Sequence, residues 1–458
     1  MIRLFNAYFP ARTVLLTVSE GILLIFGFLV AVFVSEGTAN NAGIFLFYEN
    51  GVGRILFVVT FVLVLLYYFD LYNSMVLSNR REIFTRLVGV LGVTFWALAL
   101  FYFAIPGATL HGTTLWIGIV LGSVLLTIWR SLFLVINRSH RFAESALILG
   151  DGPLAGLLHE EVRQRPELGI RIAGAVLKSS TLPGITMVES GELTEFVRQN
   201  GIRRIIVTMK DRRGTLPVRE LLDLKASGVR IEDGPEFYES VTGKLDLDSL
   251  RLGWLVFSPG FHVSGLLRLY KRMFSLLIAG TALIFAAPVM AIVAIAIRLD
   301  SKGPVLFSQP RVGESGRIFT MYKFRSMYDK SELLPPDPAA AVDPRITRIG
   351  RWIRPRRLDE LPQLFNILKG DMAFVGPRPF VPAHEEKYAE CIPFYRQRWL
   401  VKPGATGWAQ INRGYNETVE ENRDKLAYDL FYIRNISIGL DIYIIASTAK
   451  IVLLGRGR

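Results

Sequence analysis

A chain of 458 residues with 51% apolar residues, a mean hydropathy of +0.35 and a net charge of +13 does not read as an ordinary soluble domain. Its one cysteine, Cys391, excludes an internal disulfide, and five scattered histidines exclude a Cys/His zinc set. The basic excess, with a pI near 9.8, suits anionic headgroups and phosphorylated substrates, and without a nucleic-acid module no nucleic acid is expected as a partner.

Four apolar stretches fill the first third, at 13–34, 52–71, 87–106 and 113–136. Each reaches the roughly 20 residues that a helix needs to cross a bilayer. No small-residue cleavage site follows the first, so it reads as an uncleaved membrane segment. Arg3 and Arg12 precede the first stretch, and the loop 35–51 carries Glu36 and Glu49 but no Lys or Arg. Arg80, Arg81 and Arg86 follow the second stretch, the loop 107–112 is free of Lys and Arg, and Arg138 and Arg141 follow the fourth. This alternation puts both ends of a four-span bundle (1–142) in the cytoplasm. Glu20 and Arg130 fall within spans and are read as structural, with Arg130 near enough to the cytoplasmic end to snorkel.

Residues 143–262 alternate strand and helix. Strands are expected at 144–150, 170–178, 202–209 and 229–233, and helices at 192–200 and 215–227. That pattern predicts a parallel-sheet, Rossmann-like α/β domain. Gly150, Gly152 and Gly156 follow the first strand with one residue too many for a dinucleotide fingerprint, so a tight turn is expected and bound NAD is not.

A fifth apolar stretch, 273–297, opens the third domain, 263–458. Arg268, Lys271 and Arg272 precede it, Arg298 and Lys302 follow it, and Pro288 sits at its middle. Basic residues on both flanks favour both ends on the cytoplasmic side, and the proline favours a bend there. Two topologies are open: a re-entrant helix that bends at Ala287-Pro288, or a kinked spanning helix. The stretch 331–344, with four prolines, is expected as a surface loop near the site.

The most basic run, with Arg348, Arg351, Arg354, Arg356 and Arg357, leads into RRLDELPQL at 356–364. Beside clustered guanidiniums the Asp359-Glu360 pair is expected to be ionised, able to attack phosphorus or to hold a divalent cation. Surface ion pairing is the plain alternative. Lys323 and Arg325 flank Phe324, a spacing that on a strand puts both cations on one face. A phosphate contact and a solvated face are equally compatible with it. Arg378 lies between Pro377 and Pro379, which restrict its backbone and suit it to a phosphate clamp. Asp429 in YDLFYI is a further candidate, as a structural or metal-linked carboxylate, and Gly404 and Gly407 in KPGATG are expected to shape a loop near a nucleotide.

The blocks SKGPVLFSQPRVG (301–313), MYKFRSM (321–327), RRLDELPQLFNILKGDMAFVGPRP (356–379) and KPGATGWAQI (402–411), behind an apparent re-entrant helix, resemble the bacterial sugar transferases, or monotopic phosphoglycosyl transferases. The whole layout resembles the long form of that family, and VRIEDGPEFYESVTGKL (229–245) the subgroup tied to exopolysaccharide and exosortase-type loci. The resemblance implies an α+β catalytic domain with a re-entrant helix that moves a hexose 1-phosphate from a UDP-sugar to polyprenyl phosphate. Asp359 would be the nucleophile, Glu360 a metal ligand or orienter, and Lys323, Arg325 and Arg378 the phosphate contacts. Mg²⁺ would be the metal, held by Asp359 and Glu360 with substrate oxygens. Inner-membrane lipids would surround the chain, and homo-oligomerisation is left open. Ala287 stands where the family often has Ser, which leaves Pro288 to set the bend alone, and Pro355 is extra in the basic block. Two other functions compete with this one. A sugar-nucleotide dehydratase or epimerase would need an intact fingerprint and a Tyr-x-x-x-Lys pair in 143–262, and a non-catalytic scaffold would have no use for the LDE and GPRP blocks.

Overall fold

The computed structural model describes residues 1–458 apart from 5, 74–75, 77–79, 139–142, 177–185, 188–191, 211–215, 251–259, 262, 329–342, 415–417 and 454–458. Most of the proline-rich stretch 331–344 lies outside the described residues, as do Arg141, the end of the strand expected at 170–178 and the start of the helix expected at 215–227. The chain divides into two compact units, Met1–Arg3 with Tyr8–Phe237, and Leu4–Ala7 with Tyr238–Arg458.

In the first unit, four helices take up the four apolar stretches: Ala11–Glu36, Gly51–Tyr68, Arg80–Ala104 and Gly112–Arg138. Their apolar side chains serve two surroundings. Leu24, Phe28, Val58, Val62, Leu87 and Leu126 meet in one core, whereas Leu15, Phe26, Trp96, Val120 and Ile128 stay exposed. An apolar outer face on helices of this length matches lipid rather than water, and each helix is long and apolar enough to cross a membrane.

Two details differ from the sequence reading. Part of the segment expected as loop at 35–51 is a helix, Ala39–Tyr48. Thr38 caps it by accepting from the Asn41 amide at 3.3 Å, and Ala42, Phe45 and Leu46 fill the bundle core. Arg130 does not snorkel. Its Nε lies 2.7 Å from Glu20 Oε1, its Nη2 donates to Glu20 Oε2 at 2.9 Å, and its Nη1 donates to the Leu71 carbonyl at 2.9 Å. Tyr72 donates its hydroxyl to the same carboxylate at 2.7 Å. A charge buried among helices is tolerable only when matched in this way.

The same unit carries a five-stranded parallel sheet, ordered Thr186–Met187, Ile170–Val176, Glu144–Leu149, Arg204–Val207, Arg230–Asp233. Helices Pro153–Gln164, Leu193–Gln199 and Val218–Ala226 connect the strands, and Leu147, Leu149, Val197, Ile205 and Leu224 form a core between the layers. This is the Rossmann-like arrangement expected. The edge strand at 186–187 was not foreseen, because two residues carry no period. Gly150 has φ +122°, and a Cβ there would meet the Met209 amide nitrogen at 2.6 Å. The glycine therefore serves a tight turn and a close backbone crossing.

The second unit is organised along one helix, Gly265–Asp300, capped by Ser264. The break expected at Pro288 is corrected: the residues on both sides of the proline stay in one helix. Packing on either side of the proline holds it: Ala279, Leu283 and Ala286 lie against Met321, Ile367 and Met372, and Val293 and Ile297 against Phe324 and Ile353. Both helix ends are tied to this same unit. Lys271 donates to the Val375 carbonyl at 3.0 Å and pairs with Asp441 at 3.1 Å, and Arg272 donates to Ile367 and Leu368 carbonyls at 2.7 and 2.8 Å. At the other end Asp300 accepts from the Ile349 amide at 3.1 Å. An antiparallel hairpin (Leu306–Val312 with Ile318–Phe324) and a short parallel pair (Ala373–Val375 with Gly404–Thr406) complete the frame, with helices Gln363–Lys369, Pro382–Cys391, Val419–Arg434 and Ile438–Leu453.

Candidate active site

The basic run from Arg348 is broken into a helix and a turn. Thr347 caps the helix Arg348–Ile353 by accepting from the Gly350 amide at 2.8 Å. Pro355 then supplies no amide hydrogen, Arg357 takes a left-handed conformation with φ +54°, and Leu358–Glu360 forms one 3₁₀ turn. A non-glycine residue at positive φ costs about 1 kcal/mol or more and persists only where the surroundings enforce it. Here the turn buries Asp359, which is 9% exposed.

The cations converge on Glu360 and not on Asp359. Glu360 Oε1 accepts from Lys323 Nζ at 3.1 Å and from Arg378 Nη2 at 3.0 Å, and Arg357 Nη1 lies 3.4 Å from Oε2. Burial alone would raise the Glu360 carboxyl. The charges of Arg378, Lys323 and Arg357 outweigh it and hold the group well below the usual carboxylate range. Asp359 behaves oppositely. Burial, then the neighbouring Glu360 charge, pushes it up to about 6, against the pull of Lys323 and Arg354. The cations do not serve the two carboxylates alike: Glu360 takes three of them, and Asp359 is ionised at neutral pH with little solvation.

Each partner of the pair is positioned separately. Lys323 stands near the end of the strand Ile318–Phe324, and Asn366 locks that strand to the helix that follows the Asp-Glu turn. The Asn366 side chain is fully buried, donates to the Thr320 carbonyl at 2.7 Å and accepts from the Tyr322 amide at 3.0 Å. Arg378 follows the strand Ala373–Val375. Gly376 pairs there with the KPGATG segment, its amide donating to Thr406 O at 2.8 Å while the Gly404 amide donates to Pro377 O at 2.9 Å. A Cβ at Gly404 would meet the Gly376 nitrogen at 2.1 Å, and one at Gly407 the Gly376 oxygen at 2.2 Å. These two glycines let KPGATG lie directly against VGPRP and so help to set where Arg378 points.

Two sequence candidates are not brought to the pair. Arg325 lies just past the strand and is 5% exposed. Its guanidinium donates to the carbonyls of Lys302 and Ser301 at 2.7 and 2.8 Å and to the Ser301 hydroxyl at 2.9 Å, clamping the end of the long helix. Its hydrogen bonds thus go to the helix end and not to the face that Lys323 presents to Glu360. Asp429 is buried and accepts from Arg398 Nε at 2.9 Å. Arg398 also pairs with Glu385 at 3.3 Å and donates Nη2 to the Arg378 carbonyl at 2.8 Å, so Asp429 reaches the site through Arg398. Pro288 lies in the long helix between the two packed segments already described.

Arg311 was not singled out in the sequence. It donates to Gln309 Oε1 at 2.7 Å and to the Pro379 carbonyl at 3.3 Å, and its buried Nε has no hydrogen-bond partner among the described residues. Burial, then the nearby Arg378 charge, pushes its guanidinium down to about 10. Two such cations close together favour an anion between them. The strand period that puts Gln309 and Arg311 on one face was the available signal. Among the described residues no three His, Cys, Asp or Glu side chains gather as metal ligands. The Asp-Glu pair fits a Mg²⁺ only if substrate and water oxygens complete the shell, which is the usual way this ion binds.

The fold and site together define a membrane-associated protein with a buried carboxylate pair, set among fixed cations, beside a long apolar helix. Residues 266–455 match the family described as bacterial sugar transferase, and residues 67–231 match the CoA-binding domain family. The chain is 34% identical, over 68% of its own length and 68% of the relative's, to the UDP-glucose:undecaprenyl-phosphate glucose-1-phosphate transferase of Escherichia coli (strain K12). It is 41% identical to an Aeromonas hydrophila UDP-N-acetylgalactosamine-undecaprenyl-phosphate N-acetylgalactosaminephosphotransferase over 48% of this chain and 51% of that protein. It is 49% identical to a Komagataeibacter xylinus undecaprenyl-phosphate glucose phosphotransferase over 41% of this chain and 36% of that protein. The chain thus spans about half or less of the length of the latter two relatives. The chain belongs to the bacterial sugar transferase family.

Proposed function

We propose that this protein is a phosphoglycosyl transferase of the bacterial inner membrane. It moves a hexose 1-phosphate from a UDP-sugar to undecaprenyl phosphate, the first membrane step of exopolysaccharide assembly. The observation that carries the reading is the unequal carboxylate pair. Glu360 is held by three cations and makes a poor nucleophile. Asp359, with its raised pKa, is ionised and weakly solvated at neutral pH. In the first step an Asp359 oxygen attacks the phosphorus bonded to the sugar. An O–P bond forms, the P–O bond to UMP breaks, and its electron pair leaves with UMP. In the second step an oxygen of polyprenyl phosphate attacks the same phosphorus, the aspartyl O–P bond breaks, and the carboxylate is restored. Lys323 and Arg378 hold phosphate oxygens, and Glu360 fixes both cations. Mg²⁺, held by Asp359 and Glu360 with substrate oxygens, would neutralise phosphate charge.

Protein given a UDP-sugar and Mg²⁺ without lipid is expected to release UMP up to about one equivalent and to retain labelled sugar phosphate. Steady UMP release with no retained label would overturn the two-step reading.

The proposal places both ends of the long helix on the cytoplasmic side. Its support is that Lys271 and Arg272 at one end and Ser301 and Lys302 at the other are held by the same unit. A stripe including Leu269, Met273, Leu277, Ile284, Ile292 and Leu299 stays exposed along the helix and suits lipid. Arg268→Cys and Lys302→Cys, each in a Cys391→Ser background, are expected to react with an impermeant thiol reagent from the cytoplasmic side only. Labelling from opposite sides would establish a spanning helix instead.

A further inference from the structure

The fold divides the basic run 348–357 in two. The charges of Arg354 and Arg357 pull on Asp359 and Glu360 respectively, whereas Arg348, Arg351 and Arg356 are exposed. Within the helix Arg348–Ile353, the residues Arg348, Arg351 and Trp352 follow an i, i+3, i+4 spacing and share one face. The buried Gly350 and Ile353 lie on the other. Arg356 extends the outer face. Its guanidinium lies 4.7 Å from the centre of the Trp352 ring, and its Nη1 donates to the Trp352 carbonyl at 3.0 Å. Trp352 is 51% exposed. Among the described residues no carboxylate pairs with Arg348, Arg351 or Arg356.

The inner face fixes where this patch lies. Ile353 packs with Val293 and Ile297 of the long helix. Asp300, at the end of that helix, accepts from the Ile349 amide at 3.1 Å. The patch therefore sits beside the last turns of the long helix. Those turns leave Ile292, Ile295 and Leu299 exposed. An apolar stripe suited to hydrocarbon thus ends where an exposed tryptophan and three guanidiniums without a carboxylate begin.

That sequence of surfaces matches the order met on leaving a bilayer. Tryptophan settles where hydrocarbon gives way to headgroups, and guanidiniums bond phosphate oxygens. Cations held near a lipid surface favour anionic headgroups, by about fivefold for each arginine. Single-stranded nucleic acid also suits tryptophan beside arginine. It gives no account of the apolar stripe that runs up to the patch, whereas a membrane surface accounts for both.

We propose that Arg348, Arg351 and Arg356, with Trp352 as anchor, form a docking surface for anionic phospholipid headgroups. The proposal rests on the lipid-facing long helix described above and not on the transfer chemistry. Full-length protein is placed in nanodiscs of phosphatidylcholine, alone or mixed with phosphatidylglycerol, that contain a lipid with a nitroxide on its headgroup. The Trp352 fluorescence is the difference between wild type and Trp352→Phe. It is expected to be quenched in both lipids, and more strongly with phosphatidylglycerol. Raised salt should remove that increment from the wild type. Arg348→Gln and Arg351→Gln are each expected to raise about fivefold the phosphatidylglycerol fraction that gives half of the increment, and lysine at the same positions to restore it. Absence of quenching overturns the docking surface. So does equal quenching in the two lipids, or an increment that survives in the triple variant Arg348→Gln/Arg351→Gln/Arg356→Gln. A single-stranded oligonucleotide that changes the Trp352 emission where no lipid quenches it assigns the face to nucleic acid and overturns the lipid reading. Absence of UMP release from the same nanodiscs overturns the transferase reading alone, because the docking readout is fluorescence against lipid composition.

Discussion

Asp359→Asn is expected to abolish UMP release and sugar-phosphate transfer, by about 10³-fold or more, and at the same time to raise thermal stability above pH 6. The first effect follows from loss of the attacking oxygen, since an amide does not replace a carboxylate in forming an acyl phosphate. The second follows from linkage. The folded carboxyl titrates at about 6, above its ordinary value of 3.8, because burial and the Glu360 charge oppose its ionisation. As pH rises from 4 to 6 the unfolded chain loses this proton first, so the wild type loses stability across that window. The full penalty is present above pH 6 and is about 2–3 kcal/mol for a shift of this size. Asparagine carries no such penalty, so the variant should match wild type near pH 4 and exceed it at pH 8. A rate near wild type in Asp359→Asn would remove Asp359 as the nucleophile.

The sign of that shift was the part of the site least legible in the sequence. Asp359 and Glu360 are adjacent, and a run of arginines beside them says only that the neighbourhood is cationic. Which carboxylate receives the cations depends on the left-handed Arg357 and the single 3₁₀ turn after it, and neither leaves a periodic trace. Arg325 illustrates the same limit. Its spacing from Lys323 put both cations on one strand face, but the strand ends at Phe324, and beyond it alternation no longer decides direction. What patterns do encode was readable. The apolar runs became helices, and the strand–helix alternation of 143–262 became a parallel sheet. Arg130 shows why a residue is not judged on its own segment. Its partner, Glu20, lies on another helix, and only the packed bundle shows that the two charges cancel.

Arg398→Met is expected to cost about 3–5 kcal/mol of stability, because it strands carboxylates that the fold has already buried. Arg398 is 5% exposed, as Asp429 and Glu385 are at 2% and 3%. Besides those carboxylates it donates to the Tyr395 hydroxyl at 2.6 Å, and its guanidinium lies 5.0 Å from the centres of the Phe380 and Tyr395 rings. Burial already pushes Asp429 up to about 6 with Arg398 in place. Without that cation Asp429 must fold protonated or charged and unpaired. The double variant Arg398→Met/Asp429→Asn should therefore recover part of the loss, which a purely steric defect would not. The fourth contact, to the Arg378 carbonyl, separates holding the fold from positioning the site. Arg398→Lys keeps a charge near Asp429 but has no fork to reach Glu385, Asp429 and the Arg378 carbonyl together. It should melt closer to wild type than the methionine variant and still lose about tenfold in kcat/KM for the UDP-sugar, as Arg378 loses the brace on its backbone. A lysine variant that melts like wild type and also turns over like wild type would show that Arg378 is held by GPRP and the glycine contacts alone.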